Sequence, residues 1–149
     1  MRLLIHTTLV LTLFFSDAMA QENISPQFNH TTVYVVNLQK STEFYEKVML
    51  LEKIEEPFHD GRHTWFKVGP HTQLHVVQGA KEITEHGINI HNAFTVKSLP
   101  EFMRHLDNMH VRYGNMAGER QVQRRTDGIE QVYFQDPDGY WIEVNNDKF

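Results

Sequence analysis

Three histidines and one glutamate stand at positions from which they could bind one metal ion: His30, His75, His91 and Glu143. Each lies in a strand-like segment of alternating polar and apolar residues, on the polar side of that alternation. Neutral imidazole suits borderline divalent metals and carboxylate suits harder ones, so the set suits Zn, Fe, Mn, Co or Ni without selecting one. We predict that these four side chains are the ligands of a divalent metal ion.

The alternation of side chains along a strand supports this ligand set. Val33 and Val35 form the apolar set opposite His30, and Ile142 and Val144 form the apolar set opposite Glu143. In the same way, His75 lies opposite the apolar Leu74 and Val76, and His91 lies opposite Phe94 and Val96. All four candidate ligands are therefore predicted on the face of a sheet that does not pack against helices.

Three residues are candidates for a catalytic role beside the metal: Glu143, Tyr140 and His59. Glu143 could serve as a ligand and, when released, as a base, while Tyr140 and His59 are accessory proton or hydrogen-bond donors. Gln73 shares a strand face with His75, so either could be the fourth ligand. A divalent ion acts as a Lewis acid that stabilises a developing oxyanion, which favours proton transfer, isomerisation or nucleophilic addition.

One pattern occurs twice along the chain: a histidine, a strand, an amphipathic helix with a Ser near its start, and further short strands. The helices are predicted to start at residues 41–43 and 98–101, the second with a capping box. Residues 136–139, Asp-Pro-Asp-Gly, predict a tight turn between the last two strands. We predict an α+β fold of two βαβββ modules, about residues 28–80 and 88–146, that form a half-open mixed β-barrel with flanking helices.

The N-terminal segment has the pattern of a cleaved secretory signal. Arg2 precedes a largely apolar run over residues 9–15, and an Ala-Met-Ala sequence ends at Ala20. The run is shorter than the ~20 residues that a transmembrane helix needs. We therefore predict that residues 1–20 are a signal peptide and that the protein is exported, periplasmic or secreted, without membrane attachment after cleavage.

The signal-peptide prediction fixes the N-terminus of the mature protein. Protein exported by its native host is expected to begin at Gln21, because cleavage follows the small-residue pattern. Intact mass spectrometry measures this directly. A chain that retains Met1 would contradict the prediction.

Composition limits the remaining possibilities. After a short linker at residues 21–27, residues 28–149 have the length of one domain. The sequence has no cysteine, which excludes thiolate metal sites and leaves stability to packing or a bound ion. Its formal net charge of -5 argues against nucleic acid as a partner, because phosphates require a basic surface. A small molecule is the expected partner.

The chain resembles the vicinal-oxygen-chelate superfamily, which includes glyoxalase I, fosfomycin-resistance enzymes, extradiol dioxygenases and bleomycin-binding proteins. The resemblance rests on His30 at the start of a strand, the helix at 41–45, the strand at 74–77, His91 and the segment 136–143. It implies a metal at the centre of the barrel, held by the first and last strands of each module, and a homodimer. Glyoxalase I enzymes commonly have Glu at the place of His75.

Three functions are compatible with this resemblance. The first is an exported lyase or isomerase of glyoxalase type, whose small oxygenated substrate chelates the divalent metal. The second is a metal-free protein that binds and sequesters a small molecule, as bleomycin-resistance proteins do. The third is an iron-dependent extradiol-type dioxygenase, which is disfavoured because His75 as a fourth ligand would occupy a position needed by oxygen or substrate.

Overall fold

The computed structural model describes residues 24–148, and these contain two modules with the same order of elements. The predicted signal peptide lies outside the described residues. The first module comprises β1 (His30–Val35), α1 (Leu38–Lys47), β2 (Glu52–Ile54), β3 (His63–Lys67) and β4 (Gln73–Gln78). The second comprises β5 (His91–Thr95), α2 (Leu99–Asn108), β6 (Gln123–Arg124), β7 (Glu130–Gln135) and β8 (Trp141–Asn145).

The strands form two open, mixed sheets of four strands each, ordered β1-β4-β3-β2 and β5-β8-β7-β6. In each sheet the first and last strands of the module are parallel, and the remaining pairs are antiparallel. This topology confirms the predicted pair of βαβββ modules. Strands β2 and β6 are only three and two residues long, which is too short for an alternating pattern to reveal them in the sequence.

The pairing register makes the candidate ligands of the two modules equivalent. His30 is the first residue of β1 and His91 is the first residue of β5. His75 pairs with the third residue of β1, and Glu143 pairs with the third residue of β5. The same two positions therefore recur in each sheet, and at the second of them the first module has an imidazole, His75, where the second module has a carboxylate, Glu143.

The two helices start in different ways. The prediction that the first helix starts at residues 41–43 is wrong, because α1 begins three residues earlier, where the Asn37 side chain caps it by accepting from the Lys40 amide. Ser41 is instead fully buried inside the helix. The predicted cap of the second helix is confirmed, since the Ser98 side chain accepts from the Glu101 amide.

Apolar residues of alternate strand positions form one core that is shared by both sheets and both helices. On β1, β4 and β8 the buried and more exposed positions alternate as predicted, except that Glu143 and Asn145 are also buried. The opposite faces of the sheets are thus left for the histidines and Glu143. Within residues 24–148, neither helix is long and apolar enough to cross a membrane.

The turn between β7 and β8 joins the second module to the first. Asp138, which is buried, accepts from the Val36 amide at 2.7 Å and from the Ser41 hydroxyl at 2.6 Å. Gly139 has a positive φ of 88° and donates its amide to the carbonyl of Asp136, which closes the predicted tight turn. The turn therefore holds the N-terminal half of α1.

A second carboxylate in this turn contacts the same helix. The hydroxyl of Tyr45 donates to Asp136 at 2.7 Å, and both side chains are buried. Burial raises the pKa of Asp136, although hydrogen bonds from Tyr45 and from backbone amides oppose the shift. Burial also raises the pKa of Tyr45, and Asp136 raises it further. Both groups belong to the junction of the modules and lie outside the candidate metal centre.

Candidate metal centre

Two of the predicted ligands, His91 and Glu143, lie together on the second sheet. His91 Nε2 is 3.3 Å from Glu143 Oε2, and the Glu143 side chain is 8 % exposed. Two donors on a tetrahedral ion with bonds of about 2.1 Å are about 3.4 Å apart. The pair thus has the separation of two ligands that share one ion.

The orientation of His91 is set by the backbone. Its Nδ1 lies 2.8 Å from the carbonyl oxygen of Ile88. Because a carbonyl only accepts, Nδ1 carries the hydrogen and Nε2 is directed at Glu143. With its hydrogen on Nδ1, His91 offers the Nε2 lone pair on the side of Glu143, as a metal ligand must.

Glu143 is held by two side chains that the sequence analysis missed. The Tyr133 hydroxyl donates to Oε2 at 2.7 Å, and the Asn145 amide donates to Oε1 at 2.7 Å. Gln131 in turn donates to the Tyr133 hydroxyl at 2.5 Å. Burial raises the pKa of Tyr133 and the hydrogen bond to Glu143 raises it further, so this hydroxyl remains a donor.

The positions of these supporting residues could have been found by strand parity. Tyr133 is the cross-strand partner of Glu143, and Gln131 and Asn145 lie two residues away on the same face. The segment before the Asp-Pro-Asp-Gly turn alternates in the same way as the ligand strands. Applying the alternation to that segment would have placed Tyr133 and Gln131 beside the carboxylate, and the alternation of the last strand places Asn145 there.

The other two predicted ligands form a ring stack on the first sheet. His75 lies between His30, at a centroid distance of 4.2 Å and an interplanar angle of 14°, and Trp65, at 3.9 Å and 3°. The three residues come from the adjacent strands β1, β4 and β3. Burial lowers the pKa of His75, and the nearby His30 and His63 lower it further, which favours the neutral ring.

The stacked rings are not oriented to share an ion. A nitrogen lone pair lies in its ring plane, and an ion about 2.1 Å from one nitrogen in that plane would lie outside the nearly parallel plane of the other ring. His75 Nε2 is also hydrogen-bonded to Gln73 Oε1 at 2.8 Å, so this nitrogen is not available to bind a metal. One ring must turn before His30 and His75 bind the same ion.

The structure thus brings the predicted ligands together as two pairs. Within residues 24–148, no three His, Asp or Glu side chains form a group that could hold a metal ion. Gln73, the alternative fourth ligand, contacts His75. The set of four ligands remains a prediction. Of the two pairs, His91 and Glu143 have a separation that fits one shared metal ion.

The accessory catalytic candidates contact other parts of the chain. The Tyr140 hydroxyl accepts from the amide of Tyr34 and donates to its carbonyl, and the Tyr140 ring stacks on His86. His59 is exposed in the loop before β3, and its side chain lies 3.9 Å from Glu55. Their catalytic roles remain predictions, and the hydrogen bonds of Tyr140 show that its hydroxyl also joins the two modules.

Two open sheets built from repeated βαβββ units, with imidazole and carboxylate groups on the faces away from the helices, define a class of protein. The family model of the Glyoxalase/Bleomycin resistance protein/Dioxygenase superfamily matches residues 27–144. The chain therefore belongs to this superfamily. No functionally curated protein matches the sequence.

Solved structures share the fold at low sequence identity. A glyoxalase/dioxygenase from Nostoc punctiforme is 18% identical with a TM-score of 0.70, covering 90% of this chain and 99% of its own. The fosfomycin resistance protein FosX from Listeria monocytogenes is 20% identical with a TM-score of 0.67, covering 85% and 97%. Lactoylglutathione lyase from Agrobacterium tumefaciens is 18% identical with a TM-score of 0.62, covering 82% and 94%.

Proposed function

We propose that this protein is an exported, metal-dependent enzyme of the superfamily, a lyase or isomerase that acts on a small oxygenated substrate. The observation that carries the proposal is the 3.3 Å contact between His91 Nε2 and Glu143 Oε2. The hydrogen on His91 is directed to a backbone carbonyl, and both oxygens of Glu143 accept hydrogen bonds. Such outer hydrogen bonds are typical of metal ligands.

The hydrogen bonds around Glu143 and His91 favour a role as metal ligands with a fixed orientation. Tyr133 and Asn145 hold the Glu143 carboxylate in place, and the Ile88 carbonyl fixes the His91 ring. Glu143 would have to leave these two donors to act as a base. A bound divalent ion would supply Lewis acidity toward a substrate oxygen. The His91 side chain is 25 % exposed, so a substrate could reach this pair from solvent.

A homodimer would supply the missing half of the site. Each module carries two of the four candidate ligands, and the described residues bring no third ligand to either pair. We propose that His30 and His75 of one subunit, after rotation of one ring, face His91 and Glu143 of the partner subunit. The equivalent register of the two pairs supports such a twofold arrangement.

Mixed dimers test whether the ligands come from two chains. Neither the variant with His30→Ala and His75→Ala nor the Glu143→Gln variant is expected to hold metal tightly as a homodimer. A dimer containing one chain of each type combines an intact first module with an intact second module, so it should recover one metal ion per dimer. Co-expressed chains with two different tags that do not bind metal allow isolation of this species.

Two results would contradict the shared site. A mixed dimer without metal would place all ligands within one chain, and a protein that stays monomeric at micromolar concentration in light scattering would exclude the dimer. The parent protein and a mixed dimer of parent and Glu143→Gln chains are the controls. The latter should hold half as much metal as the parent.

Metal analysis of protein purified without a metal-binding tag tests the enzyme proposal as a whole. About one equivalent of Zn, Fe, Mn, Co or Ni per chain would support it, since each chain contributes one set of four ligands. Iron as the bound metal would favour the dioxygenase function. Absence of metal, and no uptake on titration, would reject the proposal.

The ring stack favours a second candidate, a metal-free protein that binds a small molecule. His30, His75 and Trp65 are stacked on one another with the rings nearly parallel, an arrangement that needs no ion. Aromatic rings provide a large contact area for an organic ligand. A protein that takes up none of the five metals and keeps its melting temperature in chelator would support this function.

A further inference from the structure

A cavity lies beside the second sheet, at the end of β7. It has a volume of about 560 Å³, which is within the range of small-molecule sites. Phe44 of α1 and Trp141 of β8, both half-buried, contribute to its lining, whereas the ring of Phe134 is 1 % exposed and belongs to the core. Phe44 and Trp141 give the cavity an apolar, aromatic component drawn from both modules.

Two cationic residues line the same cavity. Lys40 on α1 and Arg112, which follows α2, are both exposed. Among residues 24–148, neither side chain has a carboxylate within 4.0 Å, whereas Arg120 and Arg124 each have a carboxylate oxygen at 2.6 Å. The chain has a formal net charge of -5. The cavity nevertheless offers one ammonium and one guanidinium group that could bind an anion.

The acidic residue of the cavity does not cancel these charges by direct contact. Asp136 also lines the cavity, but its Oδ2 accepts from the Tyr45 hydroxyl, and its Oδ1 accepts from the amides of Asp138 and Tyr140. Burial raises its pKa, which disfavours the charged form. The carboxyl oxygens thus bind donors of the turn and of Tyr45, while the two cations have no carboxylate partner among residues 24–148.

We propose that this cavity is a binding site for a small organic anion, a carboxylate with an aromatic or apolar body. The body packs against Phe44 and Trp141, and the carboxylate is bound by Lys40 and Arg112. The site requires no metal and none of the predicted ligands. Tyr133 also lines the cavity and donates to Glu143, so the anion site adjoins the candidate metal centre but uses none of its predicted ligands.

Benzoate is the probe for this site, and benzamide is its neutral control of nearly the same shape. The sequence has two Trp residues, so the Trp65→Phe variant leaves Trp141, in the cavity wall, as the fluorescent reporter. In the presence of chelator, benzoate is expected to change Trp141 fluorescence in a saturable manner, with weaker binding at high salt. Benzamide should bind at least about threefold more weakly, because it lacks the charge.

Variants of Lys40 and Arg112 test whether benzoate binds in this cavity. Lys40→Gln and Arg112→Gln should each weaken benzoate binding by about threefold to tenfold, because each removes a charge-assisted contact. Lys97→Gln, an exposed lysine outside the cavity, should leave it unchanged. No saturable binding at millimolar benzoate, equal binding of benzamide, or unchanged affinity in both variants would overturn the proposal. Benzoate binding that requires added metal and disappears in Glu143→Gln would assign the anion to the metal centre instead.

Discussion

Replacement of Glu143 by Gln, or of His91 by Ala, is expected to lower the affinity for metal by at least about 100-fold, because each removes a ligand and not merely a supporting hydrogen bond. An amide oxygen is a weaker donor to a divalent ion than a carboxylate. The His63→Ala variant is the matched control, since His63 lies on the first sheet and contacts Asp60 at 2.8 Å. Isothermal titration with Zn and Co gives the three affinities.

The same variants predict a difference in thermal stability. Metal at about 100 times its Kd should stabilise the folded state by about 2.7 kcal/mol. Chelator is therefore expected to lower the melting temperature of the parent and of His63→Ala, and to change that of Glu143→Gln and His91→Ala very little. If the parent shows no chelator effect and no metal binds, the candidate metal centre is wrong.

The Asp138→Ala variant is expected to lose about 3 kcal/mol of unfolding free energy, because it leaves two hydrogen-bond donors at the module junction without a partner. Both carboxylate oxygens are used, one by the Val36 amide and the other by the buried Ser41 hydroxyl. Equilibrium unfolding in urea measures the change. The effect should appear in metal-free protein as well, since Asp138 is not a predicted ligand.

Two further variants make this result specific. Asp127→Ala removes an exposed carboxylate that pairs with Arg125, and it should cost much less stability than Asp138→Ala, because solvent screens an exposed ion pair. Asp138→Asn keeps an acceptor for one of the two donors, so its loss should lie between those of the two alanine variants and remain measurable if Asp138→Ala does not fold. Equal effects of Asp138→Ala and Asp127→Ala would mean that the turn does not secure α1.

The repeated modules could be predicted because periodicity is local information. The alternation around Val33 and Ile142 fixed which strand faces are buried, and the cap at Ser98 marked a true helix start. The start of α1 was placed wrongly because Ser41 resembles a cap, although its hydroxyl is used by Asp138, a residue 97 positions away. Such long-range contacts override local preference.

The candidate site was predictable in part for the same reason. Strand parity placed His91 and Glu143 on one face, and their register brings them into contact. The stacking of His30 on His75 depends on side-chain rotation and on Trp65 from a third strand. Parity gives the face of a residue but not the direction of its ring, so the separation of the ligands into two pairs could not be read from the sequence.

The short outer strands also bear on self-association. A long, flat edge strand with unpaired amides is a template for another chain and a route to aggregation. Here β2 and β6, which form the outer edge of each sheet, have only three and two residues. Strand β2 also carries the exposed, charged Glu52 and Lys53. These outer edges offer few amides in register to a neighbouring molecule, so growth of either sheet into a fibril is disfavoured at its outer side.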